Sequence, residues 1–130
     1  MHRSIFLWAA VSGILAVAIG AFGAHGLKPH LAPEDMAVFK TGVEYHFFHT
    51  IALFIAGILY KQYHHSLLSF SALAFATGIL FFSFSLYIMK LTKISSTGEE
   101  RWLGALTPFG GIAFIIGWAL IAVYFLKSRK

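Results

Sequence analysis

Four apolar runs of about twenty residues each constrain this chain more than any other feature. A helix rises 1.5 Å per residue, so crossing about 30 Å of hydrocarbon takes roughly 20 residues. The runs 4–24, 36–60, 66–89 and 107–126 all meet that length. An all-α integral membrane bundle of four transmembrane helices is therefore expected, with residues 1–130 as one transmembrane domain. Composition agrees: 58% of residues are hydrophobic and 12% charged, too few charges to cover a water-facing surface. The first run has a charged start in His2-Arg3 and a small-residue end, as a cleaved signal would. Its length and the three runs that follow make it a retained span.

Helix faces and breaks follow from local pattern. Ala9, Gly13, Ala16, Gly20 and Ala24 form a stripe of small residues on the first span. Such stripes let helices approach closely in lipid, and they make a homo-oligomer through small-residue faces a possible partner mode beside the lipid bilayer itself. His25 to Pro33 reads as a loop, and Pro33-Glu34-Asp35 as a helix start with acids at the positive end of the dipole. The second helix then runs to about Tyr60, roughly 42 Å. Ser66 is expected to cap the third helix. Ser95-Ser96-Thr97-Gly98 reads as loop, and a short interfacial helix can begin at Glu99. Thr107-Pro108 reads as the cap and first position of the fourth span.

Charge placement decides among function classes. The net charge of +5 sits at the ends of apolar runs, as membrane anchors do, so no nucleic-acid surface is expected. The chain has no cysteine, which removes disulfides and thiol chemistry. Four spans put both termini on one side. Arg3, Lys61, Lys127, Arg129 and Lys130 share that side; Lys28, Lys40, Lys90, Lys93 and Arg101 share the other. The tally is even, and pairing of Lys40 tips the termini toward the cytoplasm.

One stretch stands out within the spans: Thr41-Gly42-Val43-Glu44-Tyr45-His46-Phe47-Phe48-His49-Thr50. A carboxylate inside a span is costly unless paired or facing a polar cavity. Lys40, one turn before Glu44, is the expected partner. His46 and His49 lie about 60° apart on the helix, a spacing that suits two metal ligands or a proton relay. They are read first as packing and hydrogen-bonding groups, since a third ligand is not placed beside them. No cofactor is expected. Glu44 and His46 lie about 160° apart, so the polar groups wrap the helix and call for several neighbours. Connectivity puts the end of the first span, the start of the second, the end of the third and the start of the fourth on one membrane face. The expected hub there comprises Lys40, Thr41, Glu44, Tyr45, His46 and His49, met by His25, Ser85, Tyr87 and Thr107. No nucleophile–base arrangement emerges, and the chain is expected not to be an enzyme. It is read as a membrane protein acting through lipid or protein partners. The alternatives are a small proton- or cation-coupled transporter using Glu44 and a histidine metal or haem site.

Four stretches carry a resemblance: Ala21-Phe22-Gly23-Ala24-His25-Gly26-Leu27, Thr41 to Thr50, Phe82-Ser83-Phe84-Ser85-Leu86-Tyr87, and Thr107-Pro108-Phe109-Gly110-Gly111 with Gly117-Trp118. Together they resemble the YwdK/YgdD family of small bacterial membrane proteins, a domain of unknown function. The resemblance implies a four-helix plasma-membrane protein and no activity. Phe84 stands where that family commonly has glycine, which implies local repacking.

Overall fold

The computed structural model describes residues 2–94 and 100–128, with the side chains of Ile94, Glu100 and Arg101 left aside. The expected loop Ser95 to Gly98, the helix start at Glu99 and the terminal cations Arg129 and Lys130 lie outside the described residues. All described regular structure is helical, and four helices are long and apolar enough to cross a membrane.

Helix α1 (His2–Phe22) continues through a π turn, Gly23–Leu27. The expected loop thus starts later than His25. Helix α2 (Pro33–Tyr63, 31 residues) follows. Pro33 starts it after an extended Ala32, as a residue with fixed φ and no N–H should. The third span is α3 (Ser66–Gly78), a π segment (Ile79–Phe84) and α4 (Ser85–Ile94). The cap of α3 is His65, not Ser66: its Nδ1 accepts from the Leu67 N–H at 3.2 Å. His64 closes α2 in the left-handed region, φ 51°.

The fourth span, α5, runs Glu100–Ser128 with Pro108 inside it. The expected start at Thr107-Pro108 is therefore corrected: the chain is already helical from Glu100. A proline ring crowds the carbonyl four residues earlier. Here that residue is Gly104. Prolines are tolerated in membrane helices, where neighbours meet the freed carbonyl.

Packing follows chain order. α1 lies on α2, α2 on the third span, and the third span on α5. The small-residue stripe of α1 is used within the chain: Ala9 and Ala16 are buried, and Gly13 and Gly20 face Thr50 and Val43 of α2. Two apolar clusters form along α2. One gathers Leu27, Met36, Phe39 and Tyr87. The other gathers Ala9, Ala52, Leu53, Ala56, Phe75 and Phe114 among others. The polar residues His46, His49 and Thr50 sit between them in the sequence of α2.

Candidate functional site: the histidine layer of the second span

His46 is the centre of this layer, with 0% of its surface exposed. Both ring nitrogens are engaged. Nδ1 is 3.0 Å from the Tyr87 hydroxyl of α4, and Nε2 is 3.1 Å from Ser12 Oγ of α1. Ser12 in turn bonds Thr50 Oγ1 at 2.6 Å. One side chain therefore ties three spans together. Gly42 makes the approach possible: a Cβ there would come within 2.9 Å of the Tyr87 ring, so any larger residue would push Tyr87 out of reach.

His49 is held differently. Its Nδ1–H donates to the Tyr45 carbonyl at 2.8 Å, which leaves Nε2 to accept from Trp118 Nε1–H at 3.4 Å. That assignment fixes one tautomer. The ring stacks on Phe114 with centroids 3.5 Å apart and planes at 13°. Trp118, expected only as an aromatic of its span, is thus a partner of the layer.

The expected hub divides. Tyr87 reaches His46, whereas Ser85 and Thr107 form their own pair at 2.8 Å between α4 and α5. Thr41 bonds back to the Ala37 carbonyl. Tyr45 stacks on Phe82, centroids 4.5 Å apart. His25 is exposed on the π turn after α1 and, among the described residues, makes no bond to the layer. Phe84 packs its ring against both His46 and Tyr87.

The expected Lys40–Glu44 pair is corrected. Both residues are exposed, and among the described residues no ion pair joins them. The buried carboxylate is Asp35, bound by Lys90 at 2.8 Å and Lys93 at 2.6 Å. Sequence reasoning read Asp35 only as a first-turn acid. The available signal was Lys90 and Lys93, three apart at the end of the third span and on the same membrane face. The pair Asp35–Lys90 is shielded, with both side chains 11% exposed, while Lys93 is 51% exposed.

These contacts limit the chemistry. Tyr87, His46, Ser12 and Thr50 form a hydroxyl–imidazole chain, but its ends, Tyr87 and Thr50, are themselves buried. A cleft of about 620 Å³ between α1 and the third span reaches Ser12 and His46. Its walls are otherwise mostly apolar, including Trp8, Leu53, Leu73 and Leu80, and an apolar wall does not hold water. Metal binding at His46 or His49 would first have to break one of the bonds above. Among the described residues no three His, Asp or Glu side chains converge on a metal position. Ser83 Oγ is buried with no partner among the described residues; it lies in the π segment of the third span.

A polytopic helical membrane protein, with a buried histidine layer bonded between packed spans, is the class these features define. Residues 19–111 match the family described as "Protein of unknown function (DUF423)", and the chain belongs to that family. It is 43% identical over 120 residues to the UPF0382 membrane protein YwdK of Bacillus subtilis, covering 91% of this chain and 92% of the relative. It is 34% identical over 128 residues to the UPF0382 inner membrane protein YgdD of Escherichia coli K12, covering 98% and 93%. A UPF0382 membrane protein of Staphylococcus epidermidis is 37% identical over 118 residues, covering 91% of each chain. No solved structure matches. The chain is an integral membrane protein of unknown molecular function.

Proposed function

We propose that this protein is a non-enzymatic membrane component that acts through lipid or protein partners met by its outer faces. One observation carries the reading: the buried imidazoles His46 and His49 are engaged by neighbouring groups within the bundle, while Glu44, the carboxylate a carrier would use, lies on the outer face of α2. A carrier needs its titrating group at a cavity reached by water and substrate. The sealed layer around His46 instead holds α1, α2 and α4 in register.

We propose further that both termini face the cytoplasm across a bacterial plasma membrane. Arg3, Lys61 and Lys127 are exposed on the terminal side; on the other side Lys28 and Lys40 are exposed, whereas Lys90 and Lys93 are tied to Asp35. Free cations favour the cytoplasmic side.

Reconstituted vesicles test the reading. Purified protein is inserted with a pH-sensitive dye inside, and a panel of organic and inorganic cations is added outside. The expected result is no proton movement above empty vesicles, unchanged by Glu44→Gln. Cation-driven proton release that Glu44→Gln abolishes would overturn the proposal in favour of transport.

A further inference from the structure

We infer that the outer face of α2 docks a second copy of this chain, held by reciprocal Lys40–Glu44 ion pairs across a twofold axis. The inference rests on the partner-based reading above and names the partner.

The face is a single seam. Lys40, Glu44, Phe48, Ile51, Ile55 and Ile58 are all exposed and recur at steps of three or four residues. At 100° per residue they fall within an arc of about 80°. Steps of three and four are the spacing of a left-handed helix pair. From Lys40 to Ile58 the seam is about 27 Å long, close to the hydrocarbon thickness.

Glu44 makes the seam more than a lipid-facing stripe. It lies 17 residues before Lys61, about 25 Å up the helix axis from that anchor. This places the carboxylate inside a hydrocarbon core of about 30 Å, one turn from its edge. A carboxylate there is costly without a partner, and among the described residues it has none. Lys40 four residues earlier is in the poorer order for pairing within one helix, where the acid should come first.

A second copy solves this by symmetry. A twofold axis along the membrane normal keeps equivalent residues at equal depth and makes the contact self-complementary. Lys40 stands about 6 Å above Glu44, and its long side chain can reach down to the other copy's carboxylate while the reverse pair forms at the same time. Beside the seam lies a hollow of about 510 Å³ bounded by Phe48, Ile51, Ile55 and Trp118 among others. It offers a seat for the other copy's Phe48, which is 66% exposed. An unrelated protein would have to bring its own acid and base at the same offset, and an anionic lipid headgroup meets Lys40 at the edge of the hydrocarbon but not the Glu44 carboxylate below it.

The chain has no cysteine of its own, so single cysteines report the contact directly. Full-length protein carrying Ile51→Cys is oxidised in native membranes, with Leu73→Cys on the far side as control. The expected result is a disulfide species of twice the monomer mass for Ile51→Cys and none for Leu73→Cys. Adding Lys40→Glu or Glu44→Lys alone should cut that species about tenfold, and the exchanged pair Lys40→Glu with Glu44→Lys should restore it. Equal crosslinking in all four backgrounds, no rescue by the exchange, or an adduct of any other mass would overturn the inference. Both positions are exposed, so loss of folding is checked by an unchanged elution profile in detergent. A negative crosslink beside silent vesicles removes the second copy and leaves the partner-based reading, whereas Glu44-dependent proton release removes that reading itself.

Discussion

His46 shows what a single buried polar residue does in a bundle that lipid surrounds. In hydrocarbon the hydrophobic effect does not press helices together, so bonds that cross between spans carry more of the specificity. Its two bonds, to Tyr87 and Ser12, join α2 to α4 and α1. Tyr87→Phe removes one bond and leaves packing intact; about 1 kcal/mol of stability should be lost. His46→Ala leaves a cavity and strands two hydroxyls, for a loss of about 2–4 kcal/mol. Titrating the folded protein in mild detergent with SDS measures both. Equal and negligible losses would show that the layer does not hold the spans. The meeting of His46 with Tyr87 was legible in sequence, because a tyrosine and a histidine in apolar runs must find partners; Ser12 and Trp118 were not singled out. Asp35 was not. A first-turn acid satisfies the helix dipole whichever way its side chain turns, so only the placement of Lys90 and Lys93 reveals that it faces inward.

At the scale of helices, two glycines of α5 separate structural need from mere permission. A Cβ on Gly110 would collide with the backbone nitrogen of Phe82, which cannot move aside as a side chain can. A Cβ on Gly104 meets nothing within 4 Å. Gly110→Ala should therefore force α5 away from the π segment and cost roughly 1–3 kcal/mol. Gly104→Ala should raise stability by about 0.4–1 kcal/mol through loss of unfolded-state freedom. Thermal unfolding of the two variants side by side checks the opposite signs. Sequence reading located the spans themselves, since length and apolarity suffice for that. It misplaced the start of α5, because Thr107-Pro108 has the form of a helix cap. The helix instead continues through Pro108, as membrane helices packed against neighbours tolerate.

For the molecule as a whole, the serial packing makes α1 the most separable span. It lies chiefly on α2, and it buries only Ala9 and Ala16 along its α-helical part. Ala16→Leu should pry α1 from α2 while the contacts of the third span with α5 persist. With a reporter cysteine at Thr50, labelling in detergent should rise severalfold in that variant; a reporter at Ser71, bonded to the Gly117 carbonyl, should stay protected. Equal labelling at both sites would mean that the four spans open as one unit. The four-span count, the shared membrane face of the polar motifs and the close-packed stripe of α1 were all readable from residue spacing. The division of the polar groups into a His46 layer, a Ser85–Thr107 pair and an outward Glu44 was not. Rotation of each helix about its axis depends on packing against the others, which spacing along one helix does not determine.

The π segment Ile79–Phe84 has a bearing on how this chain tolerates change in length. A π turn takes about one residue more than an α turn to complete a circuit. The third span is thus a helix with one residue inserted and absorbed, and its two ends keep the angular phase they would have without it. Deleting a residue within 79–84 would not shorten a loop. It would return the segment to an α turn and leave Tyr87 facing His46, whereas a deletion within Ser66–Gly78 would turn the residues on one side of it by about 100° against those on the other. In this molecule the π segment is therefore the one place in the third span where chain length can change without changing which side chains meet.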